Sequence, residues 1–465
     1  MSGTQAIECS LTVLFLLLAA LWASPAFAQT VPKTQTTSSG TLSLQTGLSH
    51  GYLPTDDATK VHARVQVTGD DVVTEGRAPL NIALVIDRSG SMRGGRLAQA
   101  KKAAHRLVDR MSAEDRLAIV SYGSNVTVKS ASLPVKPANQ DRFHRAISQI
   151  RRNGSTFLSG GFEKGVELVK AQATERSVDR VILLSDGKAN RGVEQANALG
   201  RLAESHLQAG VSTTTMGLGL DYDEGIMTTL AEMGAGNHYF VEDEKKLAGM
   251  FDREFEGLAS VVARDAYLVV KPGSNVEFLG VRGASHRRSK GDVVIDLGSF
   301  YASQNRDLLL DLAASGSGEG ARGIVDIELH YSDVTGAQDE RVTRRASLVS
   351  VGTNDTASHA QRNESVMRRV EHFAYAENVQ KATEAFDRGD RDRAEELIEE
   401  QKERLDRAAD QAILDREKVA EKKKQLEEKK SRMQQAQSSR SASGKRLKKE
   451  SADQQLDLMK SGEAF

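Results

Sequence analysis

Residues 80–91 read LNIALVIDRSGS, an apolar run that ends in an acidic, hydroxyl-rich segment. The near-continuous apolar stretch Ile82–Ile86 predicts a strand that is buried on both faces, as in a parallel sheet. Helical patterns separate most of the strand-like runs that follow it. The strand candidates are Asn81–Ile86, Arg116–Tyr122, Val126–Val128, Arg180–Leu184, Val211–Leu218 and His238–Val241. This alternation predicts a doubly wound, mostly parallel, Rossmann-like α/β domain over residues 81–257.

Strand-like runs also lie on both sides of this domain. Thr41–Leu48 and Val61–Val67 precede it, and short strands separated by Gly, Ser and Asp clusters follow it. The spacing of the strands that follow the α/β domain is typical of a small β-sandwich. The two strands that precede it are too few to form a stable sheet alone. We therefore expect residues 41–80 and 258–351 to form one β-sandwich into which the α/β domain is inserted.

The C-terminal region is charged and helix-forming over residues 363–435, and Arg388–Asp390 predicts a turn within it. The pattern indicates a charged helical hairpin. Apolar residues recur every seven positions from Ile398 to Leu426, but the companion heptad position is polar, so only half of a coiled-coil seam is present. Because its apolar positions are sparse, we expect this arm to fold separately. The tail over residues 436–465 is predicted to be disordered.

The N-terminus has the features of an export signal. Leu11–Trp22 is a short apolar run, and Ala26 and Ala28 fit an A-x-A cleavage site. Residues 1–28 are therefore predicted to be a signal peptide and residues 29–40 a flexible lead. This interpretation places the mature chain in the periplasm, at the cell surface or outside the cell. Because no Lys or Arg precedes the apolar run, an uncleaved membrane anchor is the alternative.

The composition excludes several classes of function. The 63 basic and 64 acidic residues give a net charge of −1 and no overall field that would attract nucleic acid. The single cysteine, Cys9, lies in the predicted signal, so the mature chain would form no disulfide. The ten histidines show no metal-binding spacing, and the sequence lacks H-E-x-x-H, G-x-S-x-G and a phosphate-binding loop. Neither a nucleic-acid partner nor a small-molecule substrate is predicted.

Oxygen-bearing side chains follow two of the predicted strands and open one helix. They are Asp87, Ser89, Ser91, Thr156 and Asp186. Loops at the carboxyl ends of strands meet at the switch point of a doubly wound sheet, so these segments can converge there. Mg²⁺ takes six oxygen ligands, of which three hydroxyls would be neutral and two carboxylates charged. Because most of this shell is neutral, the ion would favour an incoming anionic oxygen.

In this order and on these elements, the five residues resemble the metal-ion-dependent adhesion site of von Willebrand factor type A (VWA) domains. The resemblance covers residues 81–257 and points to exported bacterial members of the family. It implies Mg²⁺, with Mn²⁺ and Ca²⁺ as alternatives, and a partner protein whose Asp or Glu completes the coordination. It also implies a non-enzymatic adhesion or assembly module. Two alternatives remain open: an envelope or secretion scaffold that acts through the helical arm, and a hydrolase in which Asp87 or Asp186 activates a metal-bound water.

Overall fold

The computed structural model describes residues 35–38, 40–71, 77–315, 319–335, 340–354 and 361–460. These residues contain seventeen strands, ten α-helices and one short 3-10 helix, Glu244–Lys246. The predicted signal peptide lies outside these ranges. The strands are β1 (Gln35–Ser38), β2 (Leu42–Leu48), β3 (Tyr52–Leu53), β4 (Thr59–Gly69), β5 (Leu80–Asp87), β6 (Arg116–Tyr122), β7 (Val126–Pro134), β8 (Val178–Ser185), β9 (Ser212–Leu218), β10 (Ala235–Val241), β11 (Val261–Pro272), β12 (Val276–Arg282), β13 (Arg287–Ser289), β14 (Asp292–Tyr301), β15 (Asn305–Ala314), β16 (Gly320–Asp333) and β17 (Glu340–Gly352).

The helices alternate with strands in the first half of the chain and follow one another in the last quarter. They are α1 (Arg96–Arg110), α2 (Pro137–Ser148), α3 (Leu158–Lys170), α4 (Ala196–Leu207), α5 (Glu224–Met233), α6 (Leu247–Ala259), α7 (Glu364–Arg388), α8 (Arg391–Asp410), α9 (Arg416–Gln435) and α10 (Ala442–Lys460). None of the described helices is long and apolar enough to span a bilayer.

The central sheet of the α/β domain has the strand order β10-β9-β8-β5-β6-β7. Its first five strands are parallel, and β7 is antiparallel to β6. Helices α1, α2 and α6 cover one face, and α3, α4 and α5 cover the other. Every residue of β5 is buried, which is why Ile82–Ile86 is apolar without alternation. The predicted mostly parallel α/β fold is confirmed.

Two further sheets share one apolar core and form a β-domain. Their strand orders are β1-β2-β4-β15-β12 and β13-β14-β11-β16-β17-β3. Strand β4 pairs with β15 along its length, from Thr59 opposite Ala314 to Thr68 opposite Asn305. The α/β domain therefore lies between β4 and β11 in the sequence and is inserted into the β-domain. Residues 29–40 were predicted to be a flexible lead, but Gln35–Ser38 within them forms an edge strand that pairs with β2.

Four helices follow the β-domain, where the sequence predicted a hairpin and a disordered tail. Helix α8 ends at Asp410, and Asp415 begins α9 by accepting hydrogen bonds from the Glu417 and Lys418 amides at 2.8 and 3.4 Å. The seven-residue repeat is therefore broken by a turn, and Asp415 is polar because it caps a helix. The prediction of a disordered tail was wrong for residues 442–460: Ala442–Lys460 is helical and packs on α7 and α9, whereas residues 461–465 lie outside the described ranges.

The arm of four helices is also attached to the β-domain, contrary to the expectation that it folds separately. Phe373 of α7 is fully buried and packs, with two valines of the same helix, on Leu309 of β15. Beside this contact the guanidinium of Arg369 lies 3.4 Å from Asp307 of β15, and neither side chain is exposed. All the described residues accordingly belong to one compact unit. The apolar positions of the arm are few, but they are concentrated at contacts between helices and at this attachment.

Candidate metal site

The sheet topology brings two loops together at one edge of the α/β domain. Strands β5 and β8 are neighbours and end at Asp87 and Ser185. The chain continues from β5 into α1 on one face of the sheet and from β8 into α4 on the other face. Adjacent strands whose connections diverge in this way leave a crevice at their carboxyl ends. The predicted switch point is therefore the boundary between β5 and β8.

Four of the five predicted metal-site residues are joined by hydrogen bonds at this crevice. The Asp87 carboxylate accepts the Ser89 amide on Oδ1 and the Ser185 hydroxyl on Oδ2, each at 2.8 Å. The Ser89 and Ser91 hydroxyls are 2.8 Å apart, and Ser91 Oγ donates to Asp186 Oδ1 at 2.6 Å. Asp87 and Asp186 are both completely buried. The two serine hydroxyls thus lie between two buried acids.

The fifth residue, Thr156, is held near the other four by its own loop. The Gly90 amide donates to the Gly154 carbonyl at 2.9 Å, which joins this loop to the segment after β5. The Thr156 amide donates to Asn190 Oδ1 at 2.8 Å, which joins it to the segment after β8. Gly154 has a φ of +65°, and a Cβ there would collide with the Ser124 hydroxyl. The three segments are therefore fixed relative to one another through their backbones.

A glycine keeps the space between the hydroxyls open. A Cβ built on Gly187 would lie 2.9 Å from Ser91 Oγ and 3.6 Å from Thr156 Oγ1. Both hydroxyl oxygens therefore border the same small volume above Gly187. The sequence Ser-Asp-Gly after β8 supplies three properties in a row: a hydroxyl for Asp87, a carboxylate, and the absence of a side chain. Ser185 and Gly187 were not singled out as site residues, although both adjoin the predicted Asp186.

The two carboxylates are in an environment that disfavours their negative charge. Burial raises the pKa of Asp87 to about 6, and the charge of Asp186 adds to this, against the hydrogen bonds from Ser89 and Ser185. Burial also raises the pKa of Asp186, against the hydrogen bonds from Ser91 and Arg96. A nearby cation would favour the charged form of both groups. The site is thus electrostatically suited to a positive ion.

The comparisons with known proteins identify the family of the α/β domain. The family model described as the von Willebrand factor type A domain matches residues 81–253. This part of the chain is a VWA domain. The VWA domain comprises β5 to β10 with their helices, and it ends within α6.

Several relatives are similar in sequence to part of this chain. An uncharacterised protein of Synechocystis is 24% identical over 273 residues, which are 56% of this chain and 64% of that protein. The uncharacterised protein YfbK of Escherichia coli is 26% identical over 287 residues, 58% of this chain and 49% of that protein. Human inter-alpha-trypsin inhibitor heavy chain H3 is 33% identical over 120 residues, 24% of this chain and 14% of that protein. The chain thus covers less than two-thirds of the length of each of these first two relatives.

Solved structures resemble the fold over nearly the whole chain. A von Willebrand factor type A protein from Catenulispora acidiphila has a TM-score of 0.71 at 16% identity and covers 93% of this chain and 100% of its own. The ArnB paralogue VWA2 from Sulfolobus acidocaldarius has a TM-score of 0.62 at 19% identity and covers 90% and 99%. At such identities the likeness concerns the fold alone. It extends well beyond the VWA domain.

One charged residue of the VWA-domain site was not predicted from the sequence. Arg96, at the start of α1, donates from Nη1 to Asp186 Oδ2 at 3.0 Å. Its Nη2 lies 3.9 Å from Asp221 Oδ2, in the loop after β9. Gly219 makes room for it, since a Cβ there would lie 2.7 Å from Nη2. Because the partners of Arg96 lie about 90 and 125 residues away along the chain, no local signal identifies it.

The donor set of the site fits a hard divalent cation. Three hydroxyls and two carboxylates offer oxygen atoms only, which is the preference of Mg²⁺ and Ca²⁺ rather than of Zn²⁺. Within the described ranges, no group of three or more His, Cys, Asp or Glu side chains is arranged so that it could hold a metal ion. The side chains that would hold an ion are those predicted, Asp87, Ser89, Ser91, Thr156 and Asp186. Ser185 and Asn190 position two of them, and Arg96 binds one oxygen of Asp186.

Proposed function

We propose that the VWA domain is a divalent-metal-dependent module that binds a protein partner through an Asp or Glu of that partner. VWA domains are typically protein-interaction modules, which supports this class of function. The ion, Mg²⁺ in the first instance, would be held by Asp87, Ser89, Ser91, Thr156 and Asp186. It would supply the positive charge that offsets two buried carboxylates and accepts one anionic oxygen from the partner.

The observation that carries the proposal is the continuous hydrogen-bonded row from Asp87 through Ser89 and Ser91 to Asp186. Two buried carboxylates raise the free energy of the folded chain unless a cation offsets them. The serine hydroxyls between them are neutral donors that add no charge. An ion bound here would keep a net attraction for an external carboxylate, which favours adhesion or assembly.

We infer that this role is non-enzymatic. Hydrolysis needs a general base within hydrogen-bonding reach of the reacting group. Asp87 accepts hydrogen bonds on both oxygens, and Asp186 does so from Ser91 and Arg96. Both acids are thus engaged in holding the site. With the N-terminal segment acting as an export signal, the module would work in the periplasm or at the cell surface.

Calorimetric titration with Mg²⁺ tests the metal part of the proposal. Asp87→Asn should weaken Mg²⁺ binding by at least about thirtyfold, about 2 kcal/mol, because it removes a charge beside the ion. Asp179→Asn is the matched control. Asp179 is also partly buried, with a pKa raised to about 6 by burial, but it lies at the opposite end of β8. Equal loss of binding in both variants, or in neither, would refute the assignment of the site.

Capture of the partner tests the binding mode. Crosslinking of intact cells in Mg²⁺ should retain a partner that crosslinking in chelator does not. The Asp87→Asn chain should retain nothing in either condition, whereas Asp179→Asn should behave as the natural chain. Hydrolase assays with and without Mg²⁺ complete the test. A partner that binds undiminished in chelator and to Asp87→Asn would overturn the mechanism.

A further inference from the structure

Helix α10 lies against three acidic side chains of the VWA domain, Asp221, Glu224 and Glu242, which we name the acidic rim. Two of them are paired near the start of α10. Lys445 Nζ lies 2.8 Å from Asp221 Oδ1, and Arg446 Nε donates to Glu242 Oε1 at 2.8 Å. The rim follows β9 and β10 in the sequence and so lies at the same edge of the sheet as the candidate metal site. The arm therefore reaches the functional edge of the VWA domain.

The contact combines one buried anchor with exposed pairs. Lys449 is 1% exposed; its Nζ donates to the Tyr222 carbonyl at 2.8 Å and to Glu224 Oε2 at 3.0 Å. The same atom lies 3.4 Å from the centre of the Tyr222 ring. By contrast, the side chains of Lys445 and Asp221 are 34% and 56% exposed. Exposed pairs of this kind are weak and easily exchanged. The start of α10, at Lys445, is thus bound to the VWA domain more weakly than the buried Lys449.

A row of alternating charges leads from this weak end to the candidate metal site. Asp221 is shared by two cations, because Lys445 binds Oδ1 and Arg96 Nη2 lies 3.9 Å from Oδ2. The other end of the Arg96 guanidinium binds Asp186 at 3.0 Å. Lys445, through its hydrogen bond and charge, and Arg96, through its charge, both hold the pKa of Asp221 below its usual range. The arginine therefore has one acid at each end, one of them in the site.

We propose that α10 is a regulatory segment that weakens cation binding at the candidate metal site while it is docked on the acidic rim, and that Arg96 transmits this effect. The proposal rests on the metal-dependent function proposed above. In the docked state Lys445 neutralises Asp221, so Arg96 remains on Asp186. There its positive charge opposes the binding of a second cation.

Release of α10 would change the site in two ways that act in the same direction. Asp221 would lose Lys445, so Arg96 would be drawn toward it and away from Asp186. The basic residues of α10 would also leave the rim, which makes the surroundings of the site more negative. Both changes favour a divalent cation. By linkage, cation binding must weaken the docking of α10 by the same factor.

The variant Lys445→Glu tests the docking contact in the full chain. It places like charges opposite Asp221, and it leaves the helix intact because Glu is favourable in a first turn. Lys424→Glu is the matched control, since it makes the same change of charge at an exposed position of α9 outside this contact. Mg²⁺ affinity is measured by calorimetry, and docking by hydrogen exchange of the α10 amides. We expect Lys445→Glu to bind Mg²⁺ about fivefold more tightly, the low end of typical coupling. Its α10 amides should exchange faster.

Arg96→Gln tests the transmission. Alone it should tighten Mg²⁺ binding, because it removes the competing charge from Asp186. In the Arg96→Gln background, adding Lys445→Glu should change Mg²⁺ affinity by less than half of its effect in the natural chain. An equal effect in both backgrounds would overturn the role of Arg96. In the natural chain, saturating Mg²⁺ should accelerate exchange in α10, as linkage requires.

The outcomes separate this inference from the proposed function. Mg²⁺ binding that Asp87→Asn abolishes but Lys445→Glu leaves unchanged would overturn the inference alone. So would a Lys424→Glu chain that matches Lys445→Glu in both measurements, because the effect would then be one of net charge. A natural chain that binds no Mg²⁺ would overturn the function and the inference together.

Discussion

Asp87→Asn should stabilise the metal-free protein at neutral pH while it removes metal binding. The Asp87 carboxyl is fully buried, and burial raises its pKa from 3.8 to about 6. A shift of about two units corresponds to about 3 kcal/mol between the protonated and charged forms. The asparagine keeps an acceptor for the Ser89 amide, and its amide group can donate to Ser185 Oγ. The variant therefore removes the cost of the charge and retains the hydrogen bonds.

The pH dependence gives the sign of the effect. Because the pKa of Asp87 is higher in the folded than in the unfolded chain, the folded chain binds the proton more tightly. Its stability therefore falls as the pH rises from about 4 to about 6, and the fall amounts to about 3 kcal/mol. Asparagine does not titrate, so the stability of the variant shows no such fall. The gain should be near zero below pH 4 and largest above pH 6.

Urea unfolding in chelator at pH 4, 6 and 8 measures this gain. Asp179→Asn should show a similar pH-dependent gain but bind Mg²⁺ normally, since burial also raises the pKa of Asp179 to about 6. Asp115→Asn should instead lower the free energy of unfolding by about 2 kcal/mol, because it breaks the ion pair between the buried Asp115 carboxylate and the partly exposed Arg77 guanidinium. An Asp87→Asn chain that is less stable than the natural chain at pH 8, or equally changed at pH 4 and 8, would refute the reasoning.

Three further variants address the site and the arm. Gly187→Ala should weaken Mg²⁺ binding about tenfold, because the new Cβ would lie 2.9 Å from the Ser91 hydroxyl and must displace it. Gly249→Ala is the control: a Cβ at Gly249 has no atom within 4 Å, so this variant should keep the same Mg²⁺ affinity in the same titration. Thr156→Ala should weaken partner capture more than Mg²⁺ affinity, because we expect this hydroxyl to enter the coordination shell when the partner's carboxylate does. Equal losses would contradict this. Phe373→Ala should lower the free energy of unfolding by about 3 kcal/mol through loss of a buried ring. Lys381→Ala on the same helix should change it little, and an equally small effect of Phe373→Ala would show that the arm is not attached there.

The central sheet could be predicted because its strands are chemically distinct from their surroundings. Strand β5 is buried along its whole length and is apolar without interruption from Ile82 to Ile86, and shorter apolar runs located β6 and β8 in the same way. The turn between α7 and α8 was also predicted correctly. Gly389 ends α7 with a φ of +87°, and Asp390 caps α8 by accepting the Arg393 amide at 3.2 Å. In both cases the structure is decided by requirements that are local in the sequence.

The arm and the charged surroundings of the site could not be predicted in this way. A seven-residue apolar repeat arises both in one long helix and in two short helices that pack together, so Ile398 and Val419 gave no means of choosing. Helix α10 has few apolar residues, and ion pairs with distant acids hold much of it. Arg96 depends in the same way on Asp186 and Asp221. Pairings of this kind are set by the tertiary fold and leave no periodic pattern.

The insertion of the VWA domain between β4 and β11 determines the order in which the chain can complete its structure during synthesis. Strand β4 must wait for β15, whose first paired residue, Asn305, follows Thr68 by roughly 240 residues. At about 5–20 residues per second this interval lasts about 12–50 s. The VWA domain is complete before it ends and can fold first. Meanwhile β4 can pair with β2 but lacks β15 on its other side, so the nascent N-terminal segment exposes a free strand edge and needs protection from aggregation until β15 emerges.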